Sequence, residues 1–276
     1  MKLKRRVSLG GKQLDEIDKR IVITGVDEAA GKDTISAVSI GGTDGQRITQ
    51  VRRDTLDVTV KFAIAVRNDH METRATILEA VNKWAAAGGW LTLNYRPQRQ
   101  LNVVLAQAPG GGDMFQWTNE YSIVFRAYGV PYWEAQTDTG LLTSKTAAKG
   151  SMSWIQVPGN VRSPISFAVT NKSGATINTI TSLQVKDSKG NITKMGFTGL
   201  GMTASQQLQI GYSRTNGMFI QFIKLYDMQT GKYTPVAAAR TPASDDEFIA
   251  EPGQIGITWD AQRAVEVQVI TMGRWL

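Results

Sequence analysis

The chain contains no cysteine and a single histidine, His70. Without thiols there can be no disulfide, thiolate metal site or cysteine nucleophile. One imidazole, at the start of an expected helix, leaves no second histidine for a Ser-His-Asp triad elsewhere or for a typical zinc site. Apolar runs are short as well. None approaches the roughly 18 residues of a membrane span, so no membrane insertion is expected. The basic N-terminus, from Met1 to Arg6, is followed by Val7-Ser8-Leu9-Gly10-Gly11-Lys12, too short and polar for a signal h-region. The expectation is a protein made and folded in the cytoplasm.

Concentrated charge is also missing. The net +7 invites a nucleic-acid reading. However, residues 1–135 hold 18 Lys/Arg against 15 Asp/Glu, and residues 136–276 hold 13 against 9. Basic residues mostly stand beside acids, as in Asp15-Glu16-Ile17-Asp18-Lys19-Arg20. This describes a solvated surface, with Lys2–Arg6 and Arg52-Arg53 as small clusters that could touch a partner. No specific nucleic-acid partner is expected.

What is present is strand-forming sequence around one helix. Leu56, Val58, Val60, Phe62, Ile64 and Val66 alternate with Thr55, Asp57, Thr59 and Lys61, the period of a half-buried strand. A helix is expected from about Asp69 to Ala86, with Asp69 as N-cap and Glu72 completing a capping box. Ile77, Leu78, Val81, Trp84 and Ala85 form its apolar stripe, Arg74, Glu79, Asn82 and Lys83 lie elsewhere, and Gly88-Gly89 ends it. Other strands are expected at Lys2–Leu9, Arg20–Val26, Asp33–Ile40, Ile48–Val66 (one long strand or a bent pair), Trp90–Tyr95, Gln100–Ala108 and Glu120–Gly129. Turn clusters at Gly41–Gly45 and Pro109–Asp113 separate some of them.

After a Thr/Ala/Gly/Lys-rich stretch at Glu134–Gly150, helical periodicity vanishes. Short strands are expected at Met152–Val157, Ile165–Thr170, Ile177–Val185, Ile192–Phe197, Gln206–Ile210, Met218–Leu225, Gln254–Trp259 and Ala264–Thr271. At 276 residues the chain exceeds the roughly 250 at which single cores stop growing, so two domains are expected, 1–135 and 136–276. The fold class is mainly β: an N-terminal β-sandwich with one packed α-helix, then a second sandwich or jelly roll.

Candidate chemistry is sparse. Gly25-Val26-Asp27-Glu28-Ala29-Ala30-Gly31-Lys32-Asp33-Thr34 imitates a phosphate loop. It has five residues between glycines where the motif has four, and Asp33 stands where the magnesium-binding hydroxyl belongs. Asp245, Asp246, Glu247 and Glu251 could gather calcium, but their spacing fits no loop motif. Ile255, Ile257 and Trp259 share a strand face, as do Met152, Trp154 and Gln156, and Trp84 lies on the helix stripe; core packing is expected for these tryptophans. Trp117, Trp133 and Trp275 remain open to sugar stacking. The expectation is no catalytic, cofactor-binding or metal-binding residue, no cofactor, and no enzyme.

Arg53-Asp54-Thr55-Leu56-Asp57-Val58-Thr59-Val60, the helix, Trp90-Leu91-Thr92-Leu93-Asn94-Tyr95-Arg96-Pro97 and Glu120–Tyr128 together resemble the distal tail (Dit) proteins of long-tailed, non-contractile phages. So does the end of the chain, Glu251-Pro252-Gly253-Gln254-Ile255-Gly256-Ile257 and Val265–Leu276 with Gly273-Arg274-Trp275. The resemblance implies a galectin-like second sandwich and a virion structural protein at the tail tip, assembled in the host cytoplasm. It implies a homohexameric ring, made by the first domain with the second projecting outward, that joins the tail tube to the adsorption apparatus. Its partners would be itself, the tail tube protein, the tape-measure protein, a tail-tip hub or tail-associated lysin, and receptor-binding proteins. A galectin sugar site uses a histidine that residues 136–276 lack, so sugar binding does not carry over. The rivals are a carbohydrate-binding sandwich recognising a host cell surface and another tail tube or neck protein.

Overall fold

A computed structural model describes residues 6–29, 33–39, 46–66, 70–109, 120–136, 143–215 and 218–276. The chain is mainly β with one long helix and divides into two compact units, Met1–Trp133 and Glu134–Leu276. The turn cluster at residues 41–45, residues 2–5 of the basic N-terminus and Asp69 lie outside the described residues, as do Trp117 and most of the Pro109–Asp113 loop.

The first unit contains β1 (Val7–Leu9), β2 (Lys12–Gln13), β3 (Ile21–Glu28), β4 (Asp33–Ser39), β5 (Gln46–Arg53), β6 (Leu56–Ile64), α1 (Met71–Ala86), β7 (Gly89–Leu93), β8 (Arg99–Gln107), β9 (Glu120–Ala127) and β10 (Trp133–Ala135), which crosses into the second unit. Its main sheet runs β2-β1-β7-β8-β9-β6-β3. The β6 ladder has the expected two-residue period. Leu56, Val58, Val60, Phe62 and Ile64 are buried, and each contributes about 1.5–3 kcal/mol of burial. Asp57 and Arg126 stand opposite each other across β6 and β9 and form a two-point ion pair, 2.6 Å at both contacts.

The apolar face of α1 lies on this sheet. Ile77, Leu78, Val81, Trp84 and Ala85 are all buried. Trp84 meets Phe125 edge-on at 5.9 Å, and its indole N–H donates to the Lys12 carbonyl at 3.0 Å. Gly88 ends the helix in the left-handed region, at φ +59°, a conformation glycine adopts without steric cost. Two details differ from the sequence expectation. The helix begins at Met71 with His70 as N-cap, and His70 makes no side-chain capping bond. Arg74 is fully buried rather than solvated. It lies three and four residues before Ile77 and Leu78, so helical spacing places it on the same stripe. There it hydrogen-bonds the Tyr121 phenol, whose pKa burial pushes up while Arg74 draws it back.

The segment Ile48–Val66, expected as one long strand or a bent pair, is two strands, and they belong to different sheets. β6 belongs to the main sheet, whereas among the described residues β5 pairs only with β4, in a separate two-stranded ribbon. The break falls at Asp54-Thr55, where regular strand structure lapses.

The second unit contains β11 (Thr143–Val157), β12 (Ser163–Asn171), β13 (Ile177–Lys186), β14 (Ile192–Met202), β15 (Gln206–Thr215), β16 (Met218–Asp227), β17 (Tyr233–Pro235), β18 (Ile249–Ala250), β19 (Gly253–Thr271) and β20 (Arg274–Trp275). Several are far longer than expected. Gln254–Trp259 and Ala264–Thr271, anticipated as separate strands, are one 19-residue strand. The intervening Asp260-Ala261-Gln262-Arg263 carries no glycine or proline to break it. β19 spans both layers: residues 256–261 pair with β13, residues 265–271 with β12, and β11 follows it along both halves. The sandwich closes over one core that includes Phe167, Phe197, Phe248 and Trp259. Where β11 crosses the Trp259 ring it carries Gly150, because a Cβ there would lie 2.3 Å from the indole.

A second knot ties the turn after β13 to the start of β19. The Asp187 carboxylate accepts from the Lys189 and Asn191 amides and from the Asn191 side chain, all within 2.9 Å. Ser188 donates to the Pro252 carbonyl at 2.7 Å. Burial alone would raise the Asp187 pKa, but the hydrogen bonds outweigh it and hold the group below its ordinary 3.8. The unfolded chain therefore binds the proton more readily than the folded one. The stabilisation is complete above the ordinary value and is lost as pH falls below it. Urea unfolding of wild type and Asp187→Asn from pH 7 to pH 3 should show a gap that narrows on acidification. A gap independent of pH would contradict this role.

Candidate assembly surfaces

The residues singled out for chemistry do not converge. His70 is exposed at the helix start. The phosphate-loop imitation is strand on both sides, with Gly25–Glu28 in β3 and Asp33 opening β4; residues 30–32 lie outside the described set. Its acids are engaged by cations: Asp27 with Lys61 at 2.6 Å, Asp33 with Arg53 at 2.9 Å. The four acids considered for calcium disperse. Asp245 accepts the Lys194 amide, Asp246 pairs with Arg240, Glu251 takes Lys189 and Arg162, and Glu247 is exposed. Among the described residues, no three His, Cys, Asp or Glu side chains come together as a metal site would require.

Glu28 instead organises a structural cluster. Its carboxylate accepts from Tyr95 at 3.0 Å, from Arg96 at 2.9 Å and from the Trp133 indole at 2.9 Å. The Arg96 guanidinium lies 5.3 Å from the centre of the Trp133 ring. Trp133, left undecided between packing and sugar stacking by the sequence, is wholly buried and unavailable to a sugar. Trp84 and Trp259 are core residues as expected, and Trp275 is half-buried.

Trp154 is the reverse case. Its indole is 77% exposed. The alternation that pointed it inward fails because Met152 pairs with Ile257 and Ile155 with Ile255, so Ser153-Trp154 together oppose Gly256. This β-bulge puts Trp154 at φ +67°, where glycine is the usual occupant.

The β4–β5 ribbon is the other surface that sequence reasoning missed. Among the described residues its strands pair only with each other, and every described side chain of β4, including Ile35 and Val38, is exposed, as is Ile48 of β5. A lone two-stranded ribbon is marginally stable in water. Asp33–Arg53 and a Thr34–Asp54 hydrogen bond fasten its base, and Arg53 lies 5.8 Å from the Tyr132 ring centre. The available signal was a glycine-rich turn between two β-branched runs. The apolar residues line no single face in sequence, so a buried side was not legible.

No family model matches the chain, and no curated relative does. Solved structures do. The Dit protein of phage SPP1, described as a paradigm of the hub adsorption apparatus in phages infecting Gram-positive bacteria, aligns over 97% of this chain and 98% of its own. The TM-score is 0.62 at 11% identity. Two structures of the phage P2 baseplate in its activated conformation, with calcium and with strontium, align over 96% of this chain with TM-scores of 0.44 and 0.43 and identities of 11% and 10%. Over nearly its whole length, this chain has the fold of the SPP1 Dit protein.

Proposed function

We propose that this chain is a non-enzymatic structural protein of a phage tail tip. In this reading it forms a homo-oligomeric ring, of six copies, that joins the tail tube to the adsorption apparatus. The tube protein and tape-measure terminus lie on one side, and the tail-tip hub or lysin and the receptor-binding proteins on the other. Two observations support the reading: the whole-chain likeness in fold to a phage hub protein, and the ribbon, which carries the argument for self-association. A ribbon with Ile35, Val38 and Ile48 in solvent gains stability only from a second surface, and a neighbouring copy supplies one at every position of a ring.

Electron microscopy and sedimentation of the purified protein test this. The expected result is a discrete ring, not stacked tubes and not a monomer. Replacing Ile35, Val38 and Ile48 together with aspartate should reduce the ring to monomers and leave the thermal midpoint of the monomer unchanged, since none of the three enters the core. A triple variant that still forms rings would remove the ribbon from the assembly; a wild-type monomer at every concentration would end the reading.

A further inference from the structure

Trp154 is held at a cost. Aromatic residues rarely occupy the left-handed region, and one kept there reflects a constraint outside its own backbone. The indole contributes nothing to the core beneath it, being exposed on β11. Trp84, Trp133 and Trp259 are buried, and Trp90 and Trp275 half-buried, so Trp154 is the tryptophan the described surface offers most fully. A large apolar side chain strained outward serves nothing within the fold. Its use lies with a ligand.

The sheet face that carries it is polar. Gly256, Thr258 and Asp260 of β19 alternate with buried Ile255, Ile257 and Trp259, so they open outward. The neighbouring strands extend each of them into a row. Trp154 and Lys186 flank Gly256, Ser151 and Gln184 flank Thr258, and Lys149 and Ser182 flank Asp260. Successive rows lie about 7 Å apart, two residues along a strand. The second and third rows line a depression of about 590 Å³. Among the described residues, the side chains of Ser151, Ser182, Gln184 and Thr258 hydrogen-bond to nothing in the protein, so their hydroxyl and amide groups are free for a ligand. Gly256 is not demanded by packing: a Cβ there would meet nothing nearer than the Met152 carbonyl, at 3.9 Å. Its effect is to leave the floor beside the indole bare.

We propose that this face of the second unit binds a saccharide, with one sugar ring stacked on the Trp154 indole and the next lying over the depression. The C–H face of a pyranose is apolar and lies flat on an indole, while its hydroxyls exchange hydrogen bonds with groups such as those of Ser151, Gln184 and Thr258. Charge selects among saccharides. Asp260 is the one acid among the residues lining the depression, and it pairs with Lys149 at 3.2 Å. Lys145 donates to the Ser151 carbonyl at 3.0 Å, and among the described residues neither it nor Lys186 meets a carboxylate. That unbalanced positive charge suits a glycan bearing acidic groups. A protein partner fits less well. The core of such an interface is depleted of charge, and this indole stands among hydroxyl, amide and ammonium groups. The inference goes beyond the hub reading and holds whether or not a ring forms.

A printed array of purified bacterial polysaccharides, acidic and neutral, tests this with the full-length protein. The expected result is retention on acidic glycans, and the strongest of them is then titrated in solution by calorimetry. Trp154→Gly should weaken that binding at least tenfold and leave the thermal midpoint unchanged or raised, since glycine keeps the bulge without strain and removes only the indole. Trp154→Tyr, which restores a ring, should recover most of the affinity. Lys145→Gln combined with Lys186→Gln should flatten the salt dependence of binding and remove the preference for acidic over neutral glycans. Tyr233→Ala, at an exposed aromatic on β17, should change nothing. Binding indifferent to Trp154→Gly, or lost with Tyr233→Ala in its place, overturns the site. A midpoint lowered by Trp154→Gly makes the indole structural and overturns it as well. An array on which the wild type binds nothing overturns the saccharide and leaves the indole to a protein partner.

Discussion

Replacing Arg274 with alanine should cost the second unit about 3–5 kcal/mol, the loss typical of removing one member of a buried ion pair. Arg274 Nε stands 3.3 Å from Glu134 Oε1, with side-chain exposures of 12% and 2%. Glu134 opens this unit, and Arg274 belongs to its closing strand, so the pair binds the first and last turns of one body. The backbone around it is stitched as well. Ala135 donates to the Gly273 carbonyl, and Asn160 and Val161 to that of Arg274, between 2.9 and 3.3 Å. Those bonds survive the substitution, so the loss isolates the carboxylate left behind without its guanidinium. The double variant Glu134→Gln/Arg274→Met, which removes both charges, should recover most of it. Denaturant unfolding monitored through the second unit decides the matter. A loss under about 1 kcal/mol for the single variant would mean that water reaches Glu134 and the pair is effectively a surface one.

Trp133→Ala should be comparably severe in the first unit, at about 3–5 kcal/mol. The ring has no exposure, so its removal leaves a cavity as well as the lost transfer energy. It also deprives Glu28 of one donor and Arg96 of the ring beside it. Trp133→Phe retains most of the volume but not the N–H, and should cost about 1.5–3 kcal/mol, the usual contribution of a hydrogen bond to a charged group, while the partly exposed Glu28 keeps Tyr95 and Arg96. Urea unfolding of the two variants, followed through the first unit, provides the comparison. If Trp133→Ala were neutral, the Glu28 cluster would be a surface decoration and the indole a candidate ligand platform again.

The legible parts of the sequence were those in which local period and burial agree. The β6 ladder from Leu56 to Ile64 and the α1 stripe from Ile77 to Ala85 are buried as their spacing demanded. Arg74 shares that stripe although it was expected elsewhere, because an arginine at a core position is identified only by the Tyr121 phenol that receives it. Trp154 failed for a different reason. A single extra residue at a bulge reverses which side faces inward, and nothing in Met152-Ser153-Trp154-Ile155 announces the insertion. Trp133 stayed undecided because its partners, Glu28 and Arg96, are remote in sequence.

By itself, then, the order of residues determined the strand-rich class, the single amphipathic helix and its glycine end, and the lack of thiols and of a second imidazole. Each follows from composition or from contacts within a few residues, where the polypeptide's own geometry sets the period. Only the tertiary structure decided that β19 is one strand shared by two layers, that β4 and β5 leave the main sheet as a ribbon, and that Trp133 is buried while Trp154 is exposed. Those outcomes depend on pairing between segments up to more than a hundred residues apart, where register, not local preference, determines which atoms meet.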